Sequence, residues 1–103
     1  MDGNITSHFN EMLILKLLSN ENLSLTEMQK MFDKKTNKTI ELSVQTLSVY
    51  LYRLRNDNLI KERLIGSEDV LYEITESGKI TLANYIDRYG RYTKAANKIL
   101  NEK

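Results

Sequence analysis

Residues 42–78 read LSVQTLSVYLYRLRNDNLIKERLIGSEDVLYEITESG, and the change of period inside this stretch decides the fold. Ser43 is a helix-capping residue type. From there Val44, Leu47, Leu51 and Leu54 keep to one side of a helix that runs through Asn56, with Tyr50 close to that side. Asn58 is a residue that accepts the left-handed backbone ending a helix. Two runs with β character follow, residues 59–65 and 70–74. Gly66-Ser67-Glu68-Asp69 joins them as a hairpin turn of about four residues. Thr75 then caps a long final helix that reaches about Leu100.

Upstream, residues 7–19 form the first periodic segment. Phe9, Met12, Leu13 and Leu17 hold helical spacing, and Ile14, Leu15 and Leu18 widen the apolar surface until the helix should be mostly buried. Ser7 is its expected cap, Glu11 reads as a helix-surface residue, and residues 20–22 end it with turn formers. Ser24-x-x-Glu27 is a capping box that opens a short helix with Leu25, Met28, Met31 and Phe32 on its apolar side. The polar run 33–39 reads as a loop. The order is α-α-α-β-β-α: mainly α with a small β-hairpin, a winged helix-turn-helix with a long C-terminal dimerisation helix. An isolated hairpin is unstable, so this one must pack on the helices beside it. Residues 1–75 are the expected DNA-binding domain, and 76–103 the dimerisation helix packed on it.

A chain of 103 residues suits one domain with one modest core. It has no cysteine, hence no disulfide framework and no thiolate metal site. No apolar run nears the roughly 20 residues that cross a bilayer, and the start lacks a signal-peptide pattern; a cytoplasmic protein is expected. His8-x-x-Glu11 has no second ligand cluster and no phosphate-cradling glycine loop exists, so no metal, cofactor or catalytic residue is assigned and no enzyme is expected. The net charge of +1 hides an uneven distribution. Residues 34–63 hold seven Lys/Arg against three Asp/Glu, a net of +4, while residues 1–33 hold two against five. A basic middle suits a face presented to phosphate, and equally an ordinary solvated surface.

On a helical wheel the side opposite Leu47, Leu51 and Leu54 carries Gln45, Val49, Tyr52, Arg53 and Asn56. Gln and Asn can bond adenine bidentately, Arg can bond guanine or phosphate, and Val49 can meet a thymine methyl. Ser43 and Thr46 sit with the free N–H groups of the helix start, which suit phosphate oxygens. Lys61 and Arg63 extend the basic surface onto the first strand. Each of these residues also occurs on merely solvated helices; the group carries the argument because of where a helix-turn-helix presents its reading surface. Glu68 and Asp69 at the wing tip would be repelled by phosphate. The helix, with at most Arg63 from the wing, is therefore the expected reader.

In the last helix Leu82, Tyr85, Tyr89, Tyr92, Ala96 and Ile99 follow a 3-4-3-4-3 spacing, the seam of a coiled-coil-like contact, with Ile80, Ala83 and Ile86 beside it. A small winged core covers only the first turns, so a second copy is expected against the rest. Gly90 inside this helix is expected to mark a bend or a close backbone approach.

Leu42-Ser43-x-x-Thr46-Leu47, Leu51-x-Arg53-Leu54, Leu59-Ile60-x-x-Arg63 and Tyr72-x-Ile74-Thr75-x-x-Gly78 together resemble the PadR-like family of winged-helix transcriptional regulators, and residues 12–18 resemble that family's opening helix. The resemblance implies a homodimeric repressor that places the helix beginning at Ser43 in the major groove of double-stranded DNA. For some members it also implies a planar aromatic ligand between the subunits, although no residue here assigns one. Two other readings fit the same pattern: a plasmid or phage DNA-binding protein for partition or replication, and a protein-interaction module.

Overall fold

The computed structural model describes residues 5–66 and 69–102. Its elements are α1 (Ile5–Asn20), α2 (Leu25–Lys35), α3 (Val44–Asn56), β1 (Ile60–Ile65), β2 (Asp69–Ile74) and α4 (Glu76–Leu100). This is the order read from the sequence. Helix α1 is the central post of the core: Met12, Ile14, Leu15 and Leu18 are buried, and Phe9, Leu13 and Leu17 pack against them. It already runs from Ile5, so Ser7 lies inside the helix and does not cap it.

Helix α2 opens on the expected capping box. The Ser24 hydroxyl accepts from the Glu27 N–H at 3.2 Å, and the Ser24 N–H donates to the Glu27 carboxylate at 2.8 Å. Buried Met28 and Phe32 anchor it. The helix takes in the first three residues of the expected loop, Asp33 to Lys35, with Lys34 and Lys35 in its last turn, where positive charge is favoured by the helix dipole. Asn37 and Lys38 then take positive φ angles, and the Lys38 N–H closes the end on the Asp33 carbonyl at 2.8 Å.

Ser43 caps α3 as read, accepting from the Thr46 N–H at 3.1 Å. Leu47, Leu51 and Leu54 are buried, but Val44 is 43% exposed and adds little to the core. At the far end Asn58 has φ 62°, its N–H bonds the Arg55 carbonyl, and the Leu59 N–H bonds the Leu54 carbonyl, both at 2.9 Å. This pair of bonds is a Schellman closure.

The strands pair antiparallel from Ile60↔Ile74 to Ile65↔Asp69. Only Ile60 of β1 is buried, so the hairpin leaves the body as a flap. Its turn residues Ser67 and Glu68 lie outside the described residues. The other edge of β2 is not left open: Leu23, between α1 and α2, exchanges two backbone hydrogen bonds with Tyr72 (3.3 and 2.8 Å). That third, one-residue strand ties the hairpin to the helices and is absent from the sequence reading.

The turn into α4 meets the end of α3. The Thr75 hydroxyl accepts from the Gly78 N–H (3.0 Å) and donates to the Asn58 carbonyl (2.7 Å), while the Thr75 N–H donates to the Leu59 carbonyl (3.0 Å). A side chain at residue 78 would strike the Leu59 carbonyl and Ile74, which is why this motif ends in glycine. Helix α4 continues for 25 residues, roughly 37 Å at 1.5 Å per residue. Only Gly78 and Leu82 in it are buried. No described helix is long and apolar enough to cross a membrane.

Candidate nucleic-acid interface

The leucines of α3 face the core, and their burial turns the opposite side outward. Gln45, Val49, Tyr52, Arg53 and Asn56 are all exposed, as are Ser43 and Thr46 at the helix start. No other part of the described chain covers this face. The seven residues read as one surface from the sequence are thus brought together on one surface.

Charge around that face is arranged rather than scattered. Arg53 bonds Glu11 of α1 (Nη2 to Oε2, 3.1 Å), and its guanidinium lies 5.7 Å from the Tyr50 ring centroid. On the other flank Arg55 approaches Glu62 of β1 at 3.5 Å and lies 5.7 Å from the Tyr52 ring. The two arginines therefore brace α3 against α1 on one side and the sheet on the other. Lys61 is exposed on β1. Arg63 is exposed too, but is paired across the strands with Glu73 at 2.9 Å, which partly neutralises it. Of the acidic tip, Glu68 lies outside the described residues, and Asp69 is placed only by its strand position.

Glu11 departs most from the sequence reading. It is 7% exposed, not a surface residue, and its neighbour Asn10 is equally buried and donates to the Tyr50 hydroxyl at 3.2 Å. The signal that points to this was available: a helix apolar on nearly every side leaves no solvated face for its polar residues. The Tyr85 hydroxyl of α4 also faces Glu11. Its pKa is raised by burial first and by that carboxylate second.

Along α4 the proposed seam divides. Leu82 is buried in this chain's own core, and Tyr85 packs against that core and stacks on His8 with ring centroids 6.1 Å apart. Tyr89 meets Phe9 at 5.2 Å but stays largely exposed; Ala96 is half-buried, and Tyr92 and Ile99 are exposed. Between α1 and α4 lies an open groove of about 280 Å³, lined by His8, Phe9, Met12, Tyr85, Arg88, Tyr89 and Tyr92. The helix passes Gly90 without a break, and a β carbon there would touch nothing among the described residues. No close approach among the described residues accounts for that glycine.

No family model and no curated protein matches this chain. Solved structures do. A transcriptional regulator from Clostridium thermocellum is 24% identical over 88% of this chain and 92% of its own, with a TM-score of 0.83. A PadR-like transcriptional regulator from Bacillus cereus is 23% identical over 90% and 92%, with a TM-score of 0.80. PadR of Bacillus subtilis, solved in complex with operator DNA, is 22% identical over 76% of this chain and 47% of its own, with a TM-score of 0.67. The three helices, the hairpin packed on them and the long last helix are the winged-helix fold of PadR-type transcriptional regulators.

Proposed function

We propose that this protein is a DNA-binding transcription regulator, a homodimeric repressor that reads double-stranded DNA through α3. The observation that carries this reading is the outward face of α3: Gln45, Val49, Tyr52 and Asn56 stand uncovered between two arginines, on a helix whose other side is buried leucine. Those residue types match base edges and methyl groups in the major groove. The operator-bound state of the Bacillus subtilis neighbour supports it by analogy of fold.

The outer turns of α4 support the dimer. Ile86, Tyr89, Tyr92, Ile99 and Leu100 all remain exposed in the described chain, Tyr89 despite its contact with Phe9, and a second copy of the same helix buries them economically. A two-fold pair would set the two α3 helices about 34 Å apart, one turn of DNA. The aromatic groove beside α1 then lies at the junction of the copies, where a planar aromatic effector of the kind the resemblance implies would enter.

Fluorescence anisotropy with duplexes selected from random sequence tests the reading. Binding should weaken steeply with salt, and Gln45→Ala or Asn56→Ala should each relax sequence preference by about 1–3 kcal/mol. Absence of duplex binding at low salt would overturn the proposal. Sequence preference that survives both substitutions would move the reading surface elsewhere.

A further inference from the structure

We infer that Glu11 is a positioning residue for DNA binding: it holds the Arg53 guanidinium on the flank of α3, oriented to meet a backbone phosphate. This rests on the DNA-binding reading above. Glu11 belongs to α1, behind Arg53 and not on the outward face of α3, and its carboxylate is almost wholly withdrawn from water. A buried carboxylate is a costly way to join two helices whose Leu15 and Leu51 already share one apolar core. What the carboxylate adds is direction. Arg53 comes from the exposed side of α3, next to Val49 and Asn56 on the wheel, and remains 47% exposed while bonded to Glu11.

A guanidinium has five N–H donors in a rigid planar fork and no acceptor, so a carboxylate on one edge fixes the plane in which the others point. Tyr50 supports that plane from beneath, and Asn10 in turn holds the Tyr50 hydroxyl. Tyr85 of α4 is a further neighbour of Glu11. Three helices thus converge on one carboxylate whose outward partner is a half-exposed cation at the edge of the reading face. An exposed arginine without such support would lose side-chain freedom on meeting phosphate; this one has lost it in advance.

The test is equilibrium binding to a random-sequence DNA duplex across a salt series, with wild type, Glu11→Leu, Arg53→Ala and the double variant. Leucine fills the site without leaving a buried acceptor unpaired. Removing a carboxylate raises the net positive charge, so charge alone would tighten binding. Positioning requires the opposite: Glu11→Leu should weaken binding about tenfold and lower the salt slope by about one, as Arg53→Ala does, and the double variant should lose no more. Arg53→Lys, at an exposed position that folding tolerates, should behave like Arg53→Ala, because a point charge cannot serve two anions in one plane. Unchanged or tighter binding by Glu11→Leu, additive losses in the double variant, or full activity of Arg53→Lys would each overturn the role of Glu11 while leaving the DNA-binding reading intact. Wild-type protein that binds no duplex would overturn both.

Discussion

Gly78 sits so close beneath the Leu59 carbonyl that a β carbon on it would overlap the oxygen. The same carbonyl accepts the Thr75 N–H, so the start of α4 and the end of α3 are locked through one peptide group. Gly78→Ala must push them apart. The expected loss is about 2–3 kcal/mol in urea unfolding, more than the roughly 1 kcal/mol that alanine gains inside a helix.

Gly90 is the opposite case. Nothing among the described residues lies within 4 Å of a β carbon built there, so Gly90→Ala should raise stability by about 0.5–1 kcal/mol in the same measurement. A loss would report a second copy's backbone packed against that turn.

Asn58 holds φ 62° at the close of α3. Asn58→Ala keeps both closing hydrogen bonds but loses the short polar side chain that makes the left-handed region tolerable, costing about 1 kcal/mol; Asn58→Gly, which has no β carbon, should cost less. Thermal unfolding of the two variants side by side checks the order.

Removing the residues after Gly90 should leave the core intact, because no residue of α4 beyond Leu82 is buried. Sedimentation should then find a folded monomer, against the dimer proposed for the full chain. A truncated chain that stays dimeric would put the interface elsewhere.

Tyr72 and Tyr85 both have pKa values raised by burial, with Glu62 and Glu11 as the respective acidic neighbours. The unfolded chain therefore loses these protons first as pH rises. Their contribution to stability is whole below about pH 10 and is lost as pH climbs through the folded-state values. Unfolding curves between pH 9 and 11 should show that decline, and Tyr85→Phe should remove part of it.

Caps, turn formers and apolar period act within a few residues of one another, and they were legible in the chain alone. Ser24–Glu27, Ser43, Asn58 and Thr75 each begin or end an element where their chemistry says they should. The outward face of α3 was legible for the same reason: once three leucines are assigned to the core, the wheel dictates what is left outside.

The sequence by itself therefore determined the element order, most helix ends and which side of α3 is uncovered. Only the tertiary structure decided what those elements meet. Asn10 and Tyr50 are forty positions apart, and Leu23 and Tyr72 farther still, so no local spacing pairs them. Glu11 is buried because α3 and α4 close over a helix already apolar on its other sides, and the seam of α4 divides after Tyr85 because the core reaches just that far. Local patterns say which side of a helix avoids water; the packing of distant segments says which polar groups are enclosed with it, and which partners they find there.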